Sequence, residues 1–85
     1  MRDGDPLTRT IIAAARGDVR ARVWLASRLT STENMTHVVR LLLLTPKRKR
    51  DLRARLERYL EVLAKIDPQG AERVLLELHE AAEMT

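Results

Sequence analysis

Eighty-five residues suffice for one domain and no more, since domains occupy about 50–250 residues. The chain has no cysteine, which excludes disulfides and thiolate metal sites, and its 45% hydrophobic content is too high for a disordered chain. Lys and Arg outnumber Asp and Glu by 16 to 12, for a net charge of +4.

Phe is absent and Trp24 and Tyr59 are the only aromatics, so the core must be built from Leu, Val, Ile and Ala. Those residues and the helical spacing below predict an all-α fold, a compact bundle of about five short-to-medium helices in one domain spanning 1–85. Asp5-Pro6 supplies an N-cap and a first-turn proline, after which Leu7, Ile11, Ala14 and Ala15 mark one face. Gly17 ends this segment, as a residue that tolerates a left-handed C-terminal cap.

Asp18 caps a second segment, in which Val19, Val23 and Ala26 form one face with Leu25 and Leu29 beside it. The polar break Thr30-Ser31-Thr32 offers hydroxyl caps for a third, marked by Met35, Val38, Val39 and Leu42. That segment ends in Leu41-Leu42-Leu43-Leu44, apolar all round, so it is either enclosed by neighbours or covered by another chain. Leu41, Leu43 and Leu44 are the candidate interface residues on this ground. Thr45-Pro46 predicts both the stop of that helix and the start of the next, whose stripe is Leu52, Leu56, Tyr59, Leu60, Leu63 and Ile66. Asp67-Pro68 repeats the device before a last stripe of Ala71, Val74, Leu75, Leu78 and Ala82. Loops this short predict an antiparallel helical hairpin over 46–83.

Charge divides unevenly along the chain. Residues 1–58 hold fourteen basic and six acidic side chains, whereas residues 59–85 hold two basic and six acidic. The densest run is Lys47-Arg48-Lys49-Arg50, followed by Arg53. Cations in a helix's first turn oppose its dipole, so a phosphate placed there would be held by side chains and backbone N–H groups together.

The stretch from Trp24 to Asn34 resembles the middle of bacterial helix-turn-helix DNA-binding motifs, with Ala26 as the small contact residue between two helices. The resemblance covers about a quarter of the chain, within a helix-turn-helix-like unit spanning 18–44, and implies a recognition helix in the major groove of duplex DNA. Thr30 stands where the family carries a turn glycine, which places a left-handed backbone on a threonine, and Ser31 replaces the apolar residue that follows. Asn34, His37 and Arg40 would then face the bases, while Lys47, Arg48, Lys49, Arg50 and Arg53 would grip phosphate.

Chemistry for catalysis is missing. His37 and His79 lie on different segments, and His79-Glu80-Ala81-Ala82-Glu83 has Glu where a zinc-protease helix needs its second His. No serine has a neighbouring base and no glycine-rich phosphate loop occurs, so no enzyme activity, metal or cofactor is expected. The absence of about 18 consecutive apolar residues and of an apolar leader argues against a membrane partner and for a cytoplasmic protein. Two functions remain, a DNA-binding regulator and a protein-interaction module or homodimer, with no small-molecule substrate in either.

Overall fold

A computed structural model describes residues 5–83; the polar N-terminal segment, residues 1–4, and residues 84–85 lie outside it. It contains five helices and, among the described residues, no strand: α1 (Pro6–Ala15), α2 (Val19–Arg28), α3 (Ser31–Leu44), α4 (Arg50–Ile66) and α5 (Pro68–Glu83). The all-α expectation holds.

Each boundary has a local cause. The Asp5 carboxylate accepts from Leu7 N–H with proline at the first helical position, and Asp18 does the same for Arg20 and Ala21. Between them the chain turns at Gly17, whose φ of +99° only glycine adopts freely. Asp18 N–H bonds back to Ala13 O at 3.0 Å and Gly17 N–H to Ala14 O at 3.0 Å, the paired bonds of a Schellman cap. Thr30 opens α3 with a complete capping box: Glu33 N–H donates to the Thr30 hydroxyl and Thr30 N–H to the Glu33 carboxylate. At α5, the Asp67 carboxylate accepts Gly70 N–H and the Ser31 hydroxyl, tying the starts of α3 and α5 together. These bonds hold the Glu33 and Asp67 carboxyls below their ordinary pKa. The Thr30 backbone N–H is the chief cause for Glu33 and the Ser31 hydroxyl for Asp67.

One start differs from expectation. Pro46 stops α3 but does not begin α4; residues 46–49 form a turn closed by Lys49 N–H to Pro46 O at 3.0 Å, and α4 starts at Arg50. Lys49 has no side chain able to accept a cap bond, so the first N–H groups of α4 are left without one.

Ile11, Leu25, Met35, Val38 and Leu56 are the largest fully buried apolar side chains and form the centre of the core, with Ala14, Tyr59 and Leu63 around them. The hairpin expectation holds from Arg50 onward: across the Asp67 turn, Leu60 and Ala64 of α4 face Ala71 and Leu75 of α5. Farther along, α5 leaves α4 and runs beside α3 in the same direction, with Ala81 near Leu43. No helix among the described residues is long and apolar enough to cross a membrane.

Candidate functional site

The residues proposed to read bases do not share an exposed face. Asn34 is 4% exposed, and its Nδ2 donates to the Tyr59 hydroxyl at 2.9 Å across the α3–α4 contact. Its Oδ1 is buried with no partner, so the carboxamide is spent inside the bundle. His37 is half-buried with Nδ1 unpartnered. Glu33 is bound to its own cap and Thr36 to Thr32 O. Of Asn34, His37 and Arg40, only Arg40 is exposed.

The turn between α2 and α3 also departs from the helix-turn-helix pattern. Thr30 is extended, with φ −68° and ψ 159°, so it carries no left-handed strain. Ala26 faces solvent and does not separate two packed helices.

Of the phosphate-gripping set, Arg53 is withdrawn. Its Nη1 donates to Leu42 O at 2.9 Å and Thr45 O at 3.0 Å, capping α3 from α4 with a cation at the helix's negative end. Lys47, Arg48, Lys49 and Arg50 are all exposed, and none forms an ion pair. Among the described residues the ion pair present is Arg55–Asp51, so the cluster is not neutralised by the glutamates of α5. His79 is exposed.

The candidate interface divides. Leu41 is buried in the core, whereas Leu43 and Leu44 are exposed. A larger apolar surface lies where the sequence was read as an apolar helix face. On α2 the inward residues are Ala21 and Leu25, which turns Val19 and Val23 outward at 70% and 63% exposure. Facing them across a cleft of about 280 Å³ are Val62 and Ile66 of α4, 40% and 71% exposed. Arg22 bridges the cleft's inner side: its Nε donates to Ala14 O at 2.9 Å and its guanidinium lies 5.1 Å above the Tyr59 ring. Tyr59 and Asn34 contribute to the lining as well. The cleft therefore has apolar walls, a small polar region from Asn34 and Tyr59, and a basic setting, since α2 carries three arginines and no acid.

A second groove, of about 260 Å³, opens between α4 and α5 over Met35 and Val39. Most of its lining, Val74 and Leu60 included, is already buried or half-buried by α3–α5 themselves, though Leu75 at its edge is exposed. The outward side of α5 carries Leu76, 60% exposed, among Glu72, Glu80 and Glu83, with exposed Leu75 on the α4 side and Glu77 on the α3 side. Among the described residues no group of three His, Cys, Asp or Glu side chains could hold a metal ion.

No protein-family model, curated protein or solved structure matches the chain.

Sequence reasoning missed the cleft because it is made of two half-stripes on helices separated by twenty-one residues. The signal for Asn34 was present: Asn34, Val38, Leu41 and Thr45 follow one helical face, and all four are buried.

Proposed function

We propose that this chain is a non-enzymatic protein-interaction module that receives an acidic, amphipathic helix in the α2–α4 cleft. The observation that carries the reading is the outward turn of Val19 and Val23 opposite Val62 and Ile66. Clustered exposed apolar residues on so small a chain mark a binding surface more readily than single ones do. The i, i+4 valines and the Val62/Ile66 pair line the two walls of the cleft, an arrangement suited to a helix's apolar face. Arg20, Arg58 and Lys65 lie within a turn of these residues and are exposed, which favours carboxylates on the incoming helix.

Burying four such side chains yields roughly 4–8 kcal/mol before association costs. Ordering and lost translational freedom consume much of that, so the complex is weak and reversible. A cytoplasmic setting suits a binding module without cysteine.

Trp24, the sole tryptophan, neighbours Val23 on α2 and reports binding directly. Two synthetic helical peptides with the same leucine face, one flanked by glutamates and one by lysines, would be titrated against its fluorescence. The glutamate peptide is expected to bind, and Val23→Asp to weaken it at least tenfold. Binding of neither peptide, or binding indifferent to Val23→Asp, refutes the reading.

A second reading is favoured by one observation. Lys47, Arg48, Lys49 and Arg50 are exposed and unpaired beside the uncapped start of α4, which suits the phosphates of duplex DNA. Its test is binding to a mixed-sequence duplex as salt is raised, compared with a variant neutralised at these four positions. A shallower salt slope in the variant would support phosphate contact there; no binding at low salt would end this reading.

A further inference from the structure

Two of the exposed apolar surfaces among the described residues are opposite in charge. The α2 wall of the cleft carries Arg20, Arg22 and Arg28 without an acid, and α4 adds Arg58 and Lys65 against the single Glu61 around Val62. α5 presents exposed Leu76 among Glu72, Glu80 and Glu83, with exposed Leu75 beside it at the border of the α4–α5 groove and Arg73 the helix's one arginine or lysine. Both surfaces stay exposed among the described residues, although Leu75 also borders the α4–α5 groove and Arg22 is held by Ala14 O. The α5 glutamates make no ion pair, and α2 has no acidic residue at its surface beyond its cap, Asp18.

We propose that the occupant of the α2–α4 cleft is α5 of a second copy of this chain. The inference rests on the protein-interaction reading above and names its partner. Leu75 and Leu76 of the incoming helix lie between the Val19/Val23 and Val62/Ile66 ridges. Glu72 and Glu80, one turn to either side of Leu76, then come to the arginines of α2 and to Arg58 and Lys65 of α4. Pairing cleft with cleft is disfavoured because it sets arginines against arginines, and pairing α5 with α5 sets glutamates against glutamates. The contact joins unlike surfaces, so each copy keeps one of each to offer, and association either closes into a ring or extends as a chain.

This topology gives a test that simple dimerisation would not pass. Val23→Glu disables the cleft and leaves α5 intact. The double variant Leu75→Gln, Leu76→Gln disables α5 and leaves the cleft intact. All three positions are at least 60% exposed, and circular dichroism and urea unfolding verify that the variants fold like the wild type. Sedimentation velocity would be run up to about 200 μM, a range suited to weak contacts.

The wild type is expected to grow in mass with concentration and to shrink back in high salt. Each variant alone is expected to stay monomeric. An equimolar mixture is expected to form a species of twice the monomer mass and nothing larger, because only one productive contact remains. Monomeric wild type throughout, or a mixture that stays monomeric while the wild type associates, overturns the proposal. If the wild type is monomeric but the glutamate peptide still quenches or shifts Trp24 emission, self-association fails and the interaction reading stands. If the peptide also fails to bind, both fall.

Discussion

Tyr59→Phe isolates one buried hydrogen bond. Tyr59 is 2% exposed and Asn34 4%, and their side chains meet at 2.9 Å. The substitution removes only the hydroxyl, leaving the ring that packs in the core and lies beneath Arg22. Asn34 Oδ1 already lacks a partner, so loss of the phenol leaves the whole carboxamide unsatisfied in the interior. An orphaned buried amide costs about 1–3 kcal/mol, which in a chain this size lowers Tm by roughly 5–20 °C. Urea unfolding followed at 222 nm measures the loss directly. Asn34→Leu should relieve part of it in the Tyr59→Phe background, because two apolar groups then face each other, and a double-mutant cycle should return a coupling of about 1 kcal/mol or more. A Tyr59→Phe variant within about 0.5 kcal/mol of the wild type would show that Asn34 finds solvent, reviving it as an exposed reading residue.

Other expectations follow from the same contacts. Gly70→Ala should destabilise, against the usual gain of alanine in a helix, because a Cβ there would meet the Asp67 carboxylate and lie 2.7 Å from the Thr32 hydroxyl; thermal unfolding gives the sign. Arg53→Met should cost about 1–3 kcal/mol through the uncapped Leu42 and Thr45 carbonyls, whereas neutralising Lys47, Arg48, Lys49 and Arg50 should leave stability unchanged or slightly raised as the dipole conflict is relieved. Because the folded pKa values of Glu33 and Asp67 are depressed, their contribution should be full above the ordinary carboxylate range, about pH 4, and fade as pH falls through the lowered values. Glu33→Gln with Asp67→Asn should flatten that acid limb of a stability-versus-pH curve.

The caps were legible because each is short-range chemistry: Asp5, Asp18, Thr30 and Asp67 act within three residues, and Gly17 supplies the one positive φ among the described residues. The rotation of α2 was not. Its apolar residues fall on two competing faces, Val19/Val23/Ala26 and Ala21/Leu25, and periodicity cannot choose between them. The choice is made by the Schellman corner, which fixes how α2 leaves Gly17, and by Arg22, which must reach Ala14 O. Arg53 misled for a related reason. A cation within a basic run looks solvated in sequence, yet this one points back along α4 to the carbonyl end of α3. Lys47–Arg50 are exposed, and the start of α4 was placed four residues early, since Thr45-Pro46 looks like a cap and a first-turn proline.

Methyl NMR during titration with the glutamate-flanked peptide tests the central claim most directly, at a concentration low enough to keep the chain monomeric. Methyl groups of Val19, Val23, Val62 and Ile66 should shift together and saturate at one affinity, with Leu43 and Leu44 unmoved. Shifts confined to Leu43, Leu44 or the residues around Lys47–Arg50, with Val23 and Ile66 unchanged, would contradict it.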